Sequence, residues 1–204
     1  TRSAKSAAPI ASLAVADARR LPQQDGSAAA VLVMGPLYHL PAAADRLASL
    51  REAFRVIADD GLAVVAAISR YASALDGLAR KLSVDPRFAK IRDRDLADGQ
   101  HRNDTGNVDY FTTAYLHRPD DLRSELEAAG FDLILSPPGR QPSEDELMRL
   151  VPGCTGWLAG VEPITGRVLA VADKLRVISR NGTGIDSIDL VAAKRRGVRV
   201  MTSA

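Results

Sequence analysis

A glycine-containing turn near the end of the chain combines residue types that can hold an anion. Gly182 and Gly184 follow the apolar run Leu175–Ile178 and lie in the sequence Asn181-Gly-Thr-Gly184. Glycine adopts positive φ at little cost, so such a turn can direct backbone N–H groups toward a ligand. The spacing lacks the third glycine of a dinucleotide-binding fingerprint, and Ile-Asp follows it rather than a helix. The pattern therefore predicts a tight turn rather than a phosphate cradle.

Other side chains that could do chemistry stand apart from one another. His39 and His117 could transfer protons near neutral pH, but neither has a visible partner, so we expect surface or lid positions. Cys154 follows a glycine and has no basic neighbour, which favours an inert, half-buried thiol. The acid pairs Asp59-Asp60 and Asp120-Asp121 lie at predicted helix ends, where capping and the helix dipole explain them. We predict no catalytic residue and no metal site.

Composition limits the class of protein and its partners. The 204 residues carry a formal net charge of +2, and only 4% are aromatic. No segment is basic enough to indicate nucleic acid, and no apolar run approaches the ~18 residues that a membrane span needs. A single cysteine cannot form an internal disulfide, so we expect a reducing, cytoplasmic setting.

Apolar runs alternate with amphipathic segments along most of the chain. The predicted strands are residues 11–16, 28–34, 62–68, 131–135, 156–160, 175–178 and 198–201. Helices are predicted from Pro41 to residue 58, over 72–82 and 119–130, after Ser143, from Thr165 to 173, and over 187–196. This order predicts an α/β fold with three layers, in which helices cover both faces of one mostly parallel, doubly wound sheet of six or seven strands.

Residues 85–109 do not fit this alternation. The segment carries many charges together with Pro86, Gly99 and Gly106, and it has few apolar positions. A lid or insertion fits this composition better than a core element.

Residues 11–130 resemble the later part of class I S-adenosylmethionine-dependent methyltransferases. The matching segments are Ala14-Val-Ala-Asp-Ala-Arg19, Val31–Leu40, Ala53–Leu62 and Tyr110–Leu122. The resemblance implies that Asp17 contacts the adenine and that Gly35, Tyr38 and His39 line the methyl-transfer site. It begins at the family's third strand and therefore omits the glycine-rich loop that cradles the cofactor. We expect no bound cofactor, and S-adenosylmethionine only if the remnant site is completed.

Residues 126–204 resemble the flavodoxin-like substrate domain of D-2-hydroxyacid dehydrogenases, the phosphoglycerate dehydrogenase group. The matching segments are Ala128–Asp132, Trp157–Thr165, Lys174–Gly184, Asp186–Asp189 and Ala192–Gly197. The resemblance implies that Asn181, Gly182, Thr183 and Gly184 present N–H groups to a substrate carboxylate. It also implies that the family's nicotinamide-binding domain, with its catalytic residues, would follow residue 204.

The two resemblances meet in Glu127-Ala-Ala-Gly-Phe-Asp132, where both families place a helix end followed by a strand. We therefore expect a methyltransferase-derived fragment at 1–130 and a dehydrogenase-derived fragment at 131–204, sharing one continuous sheet. Our first hypothesis is an engineered chimera, made to test whether halves of related α/β folds recombine, with no complete active site.

Three alternatives to an inert, monomeric chimera stay open. The chain could be a methyltransferase or a cofactor-binding remnant whose lost half is supplied by a partner chain, or it could bind small 2-hydroxy acids. An unpaired sheet edge would also permit a domain-swapped homodimer.

Overall fold

The computed structural model describes residues 12–202 and has a mixed α/β fold with mostly parallel strands. The predicted class and the predominance of parallel pairing are confirmed. Seven strands are present in the described part of the chain, but they lie in three small sheets rather than one. The single continuous sheet was therefore a wrong expectation, because apolar runs identify strands but not the strands with which they pair.

The first sheet pairs β1 (Ala28–Met34) with β2 (Ile57–Ala66) in parallel. The connection contains a short helix, α1 (Pro36–His39), and a longer one, α2 (Ala43–Val56). Leu50 and Ala53 of α2 are buried together with Val33 of β1. Apolar spacing along α2 thus covers one face of this sheet.

Two apolar runs that resemble strands remain outside the sheets. Residues 12–16 form no strand, and the side chain of Leu13 is 87% exposed; residue 11 lies outside the described residues. Residues 131–135 also form no strand, and Ile134 and Leu135 are about half exposed, at 51% and 54%. Both predictions were wrong because a strand is stabilised by its neighbours, and neither run has a hydrogen-bonded partner strand.

The middle of the chain is a packed helical unit, not a bare lid. It contains α3 (Ala72–Ala79), α4 (Pro86–Asp98) and a small antiparallel pair, β3 (Gln100–His101) with β4 (Ala114–Tyr115). Asp85 caps α4 by accepting from the Arg87 N–H, and Gly99 ends the helix with a φ of 76°. The expectation of a lid over 85–109 missed α4, because most charges of that segment occupy the exposed face of an amphipathic helix and, among the charged residues of that helix, only Asp95 is buried.

The part of the chain from residue 119 onward begins with two helices, α5 (Pro119–Ala129) and α6 (Glu144–Leu150). A parallel sheet then follows in the order β5-β6-β7, with β5 at Gly156–Ala159, β6 at Val177–Arg180 and β7 at Arg199–Thr202. The helices between these strands are α7 (Gly166–Val171) and α8 (Leu190–Arg195). Ile164, Leu169 and Ile178 are fully buried in the core of this part.

The first and last thirds of the chain touch at several points. Helix α5 packs against α2, and the rings of Phe54 and Phe131 meet edge to face with centroids 5.1 Å apart. At the start of the last sheet, Arg176 donates to the Asp60 carboxylate at 2.8 Å. The two fragments therefore share side-chain contacts although they do not share a sheet.

Candidate functional site

Asp17, the residue that the methyltransferase resemblance assigns to adenine, is held by its own neighbour. Its carboxylate accepts from the backbone N–H of Arg19 at 2.9 Å and from the Arg19 guanidinium at 2.6 Å. Arg19 also donates to Asp45 at 2.9 Å. Hydrogen bonding by Arg19 lowers the pKa of the Asp17 carboxyl to about 2. Both oxygens of Asp17 are engaged by this contact.

Gly35, Tyr38 and His39 lie together where β1 ends. Gly35 has a φ of 136° and precedes α1, which is only four residues long. The rings of Tyr38 and His39 lie 4.7 Å apart, with Tyr38 half-buried and His39 exposed. The exposed position predicted for His39 is confirmed.

Asn181, Gly182, Thr183 and Gly184 form a turn where β6 ends, as the glycine spacing predicts. The Asn181 N–H donates to the Ala159 carbonyl at 2.8 Å, and its own carbonyl accepts from Arg180 at 2.6 Å. Gly182 has a φ of 129°, which a residue with a side chain would adopt only under strain. Asn181, Thr183 and Gly184 are exposed.

Two cavities lie away from all eight of these residues. The larger has a volume of about 430 Å³, and the smaller has a volume of about 270 Å³. The larger is lined by Ile68, Ala72, Ser73, Asp76, Arg80, Phe88, His101, Val108, Asp109, Tyr110, Phe111 and Leu116. The smaller lies between residues 134–136 and β5 and includes Cys154. The predicted site residues thus line neither of these two cavities.

A buried polar network stands behind the larger cavity. Asp95 is fully buried and accepts from the Ser73 hydroxyl and from Nδ1 of His101, the latter at 2.7 Å. Nε2 of His101 lies 2.8 Å from the Tyr110 carbonyl oxygen. Since both ring nitrogens face acceptors, the geometry suits a doubly protonated imidazolium. The second carboxylate oxygen of Asp95, Oδ1, is buried without a hydrogen-bond partner.

Opposing effects act on the pKa of His101. Burial lowers the pKa, but the hydrogen bond and charge of Asp95 and the Tyr110 carbonyl outweigh it, so the pKa is raised above its usual value. The sequence analysis missed this network. One available signal was the spacing of Phe88, Ile91 and Asp95, which places an acid on the apolar face of α4.

His117 is a correction to the surface position predicted for it. Its side chain is buried, its Nε2 lies 3.1 Å from Glu125, and its ring meets the ring of Tyr115 at 4.7 Å. Glu125 lies eight positions further along the chain, on α5, so the contact depends on how the chain turns into that helix and is not visible in the local sequence pattern. The residue serves as part of a buried polar cluster between α2 and α5.

Cys154 is half-buried, as predicted, and burial raises the pKa of its thiol, with a smaller contribution from the charge of Asp173. A thiol with a raised pKa forms little thiolate and is a poor nucleophile. Within residues 12–202, no three His, Cys, Asp or Glu side chains come close enough together to hold a metal ion. No helix in that range is both long and apolar enough to cross a bilayer.

Two family models match different parts of the chain. Residues 1–65 match a methyltransferase domain, and residues 113–204 match the catalytic domain of D-isomer specific 2-hydroxyacid dehydrogenases. The chain is thus similar to parts of two families. Neither model covers residues 66–112, and the boundary between 130 and 131 stays a prediction.

The similar curated proteins are D-3-phosphoglycerate dehydrogenases. The Rattus norvegicus protein is 40% identical over 62 residues, which is 30% of this chain and 12% of that protein. The Homo sapiens protein is 39% identical over the same length, and a Mycobacterium tuberculosis protein is 36% identical over 63 residues. The chain thus spans only 12% of the length of these relatives.

Similar solved structures cover a comparable share of the chain. A Pyrococcus horikoshii protein is 36% identical over 31% of this chain and 19% of its own, with a TM-score of 0.30. A Thermus thermophilus protein is 38% identical over 30% of this chain and 20% of its own, with a TM-score of 0.29.

Proposed function

We propose that this chain is an engineered fusion of a methyltransferase-derived fragment and a dehydrogenase-derived fragment, and that neither parental active site is complete in it. One observation carries the proposal: Asp17, which should be free to meet adenine, has both carboxylate oxygens bound by Arg19. The separate matches of residues 1–65 and 113–204 to two families support the fusion.

The parental families use S-adenosylmethionine and NAD, and the residues of this chain do not fit either cofactor. Asp17, Gly35, Tyr38 and His39 line neither cavity, and the same holds for the Asn181–Gly184 turn. Small-molecule sites are normally concave and bury most of their ligand. We therefore derive no reaction step through either cofactor.

Calorimetric titration with S-adenosylmethionine and, separately, with NADH tests the proposal. We expect no binding at submillimolar ligand, because neither the residues assigned to S-adenosylmethionine nor the Asn181–Gly184 turn lines either of the two cavities described above. Saturable binding of either cofactor in that range would overturn the inert interpretation. The engineered origin has its own test, since one natural gene running without interruption through Glu127–Asp132 would contradict it.

A second candidate is a latent S-adenosylmethionine site that a partner chain completes. The observation in its favour is that Gly35, Tyr38 and His39 follow the carboxyl end of β1, the edge at which open parallel sheets bind ligands. The variant Arg19→Ala separates the two candidates. With a methyltransferase fragment that contains the glycine-rich loop added as a separate chain, a latent site predicts measurable cofactor binding by this variant, whereas the first proposal predicts none.

A third candidate is a binder of small 2-hydroxy acids. It rests on the Asn181–Gly184 turn, which is exposed at the carboxyl end of β6. A ligand that binds only the folded state raises the melting temperature. An unchanged melting temperature in millimolar D-lactate and D-glycerate would remove this candidate.

We also propose a domain-swapped homodimer, because β1 and β2 form only a two-stranded sheet and an unpaired edge can accept a strand. Light scattering on the purified chain distinguishes a dimer from a monomer. A cytoplasmic location and the absence of nucleic-acid partners stay expectations from the composition.

A further inference from the structure

We propose that the 430 Å³ cavity binds a small organic ammonium ion with an aromatic or apolar body. The proposal goes beyond the fusion described above, because the cavity is built mainly by residues 66–112, which neither family model covers. Its volume is within the range of ~300–1,000 Å³ that is usual for small-molecule sites.

The walls of the cavity suit an apolar body. Phe88 and Tyr110 pack with ring centroids 5.2 Å apart, and Phe111 brings a third ring to the same space. Ile68 and Leu116 add aliphatic surface. Aromatic rings also attract cations through the negative potential of their faces, and clusters of such rings recognise ammonium groups.

The charges around the cavity favour a cation. Asp76 and Asp109 lie at its exposed side and share one guanidinium, that of Arg80, at 3.1 Å and 3.4 Å. His101, which lines the cavity, forms an ion pair with the buried Asp95, and their charges cancel. Two carboxylates against one guanidinium therefore leave one negative charge, which attracts a cationic ligand and repels an anionic one.

The polar group within the wall accepts rather than donates. The Ser73 hydroxyl donates a hydrogen bond to Asp95, so the lone pairs of the Ser73 oxygen remain available to accept from a donor on the ligand. His101 offers no competing donor, because both of its nitrogens are engaged. An ammonium group supplies only donors, and it therefore matches this wall better than a carboxylate does.

The backbone is strained at Phe111, one of the residues that line the cavity. Phe111 has a φ of 66°, which residues with side chains rarely adopt, and the Asn103 side chain holds its carbonyl at 2.7 Å. Strained backbone of this kind is concentrated at ligand sites. The Phe111 residue is 46% exposed and lines the cavity.

Three probes of matched shape test the proposal: 2-phenylethylammonium, 2-phenylethanol and 3-phenylpropionate. We expect saturable binding by calorimetry, with the ammonium about fivefold tighter than the alcohol and the carboxylate weakest. Equal affinities for all three probes, or no saturable binding of the ammonium, would overturn the proposal.

Two variants locate the charge. We expect Asp109→Asn to weaken ammonium binding about threefold to tenfold and to leave the alcohol unchanged. Asp104→Asn is the matched control, because Asp104 is exposed in the same loop but does not line the cavity. If the control weakened binding as much as Asp109→Asn, the cavity would not be the site.

Two further variants fill the space. Ala72→Phe occupies the half-buried wall, and Val108→Trp covers the mouth from a side chain that is 91% exposed and packs little. The second change should not disturb folding even if the first does, and circular dichroism checks both. We expect either folded variant to lose ammonium binding, and retention of full affinity in a folded Val108→Trp protein would contradict the proposal.

Discussion

Arg46 of α2 and Glu125 of α5 form a buried ion pair, with Nη2 of the arginine 2.6 Å from Oε1 of the glutamate. The arginine is 2% exposed, also donates to the Pro41 carbonyl at 2.7 Å, and lies 3.5 Å above the centroid of the Tyr115 ring. Arg46 belongs to the part that matches the methyltransferase model and Glu125 to the part that matches the dehydrogenase model. This buried charge pair thus joins residues that match different family models.

Removal of one partner of this ion pair should lower the free energy of unfolding of the protein. The variant Glu125→Gln leaves the Arg46 guanidinium buried without a countercharge, and loss of one partner of a buried pair typically costs about 3–5 kcal/mol. Urea unfolding measures the loss of free energy. Glu127→Gln is the control on the same helix, because its ion pair with Arg123 is about half exposed, at 46% and 50%, and should matter little. Similar losses in both variants would contradict a special role for the buried pair.

His101 should make stability depend on pH above neutrality. Its pKa is raised in the folded protein because Asp95 and the Tyr110 carbonyl outweigh the effect of burial, and Arg102 opposes them only weakly. The protonated imidazole therefore stabilises the fold fully below the unfolded pKa of ~6.5, and this contribution disappears as pH rises through the folded pKa.

Free energies of unfolding measured between pH 5 and pH 9 test this linkage. We expect wild-type stability to fall above about pH 6.5 and His101→Gln to lose that fall while starting lower. His39→Gln is the control, because His39 is exposed. An identical pH dependence in wild type and His101→Gln would refute the assignment.

Glu52 should govern stability at acid pH. The Arg55 guanidinium and, to a smaller extent, the Leu21 N–H lower the pKa of the Glu52 carboxyl to about 2. Its contribution is present above the unfolded pKa of ~4.3 and is lost as pH falls toward the folded value. Acid titration followed by circular dichroism should show a shallower loss for Glu52→Gln, with Asp104→Asn behaving as wild type.

The stability of α6 should depend on Ser143, the residue that caps its amino-terminal end. The Ser143 hydroxyl accepts from the Glu146 N–H at 3.3 Å, and the Glu146 carboxylate accepts from the Ser143 N–H at 2.8 Å. Ser143→Ala should lower the free energy of unfolding by about 1 kcal/mol, whereas Ser143→Asp, which retains a cap, should lower it little. An alanine variant as stable as the aspartate variant would rule out a capping role.

Elements with strong local signals were the most predictable. The strand Ala28–Met34 is found with the predicted ends, and Ser143 and Thr165 cap helices where the sequence places them. Caps and turns are made by residues within a few positions of each other, so the sequence contains both partners. The strand predicted over 131–135 could not be judged in this way, because a strand forms only when a partner strand from elsewhere in the chain pairs with it.

The candidate site was less predictable than the fold class. The residues assigned by resemblance lie at strand ends and in a turn, as expected, but they line neither cavity. The larger cavity is instead lined in part by residues 85–109, the segment whose composition suggested a lid. The charges that misled the prediction include Asp95, which tertiary contacts bury completely.

The sequence by itself determined the α/β class, the capped helices, the positive-φ turn at Gly182 and the presence of two family signatures. These features follow from local spacing, from backbone preferences and from motifs that are continuous in the chain. Only the tertiary structure decided that the strands divide into three sheets and that Arg46 meets Glu125, 79 positions away. Strand pairing and buried charge pairs depend on free energies between distant segments, and those energies arise only when the packed interior brings the segments together.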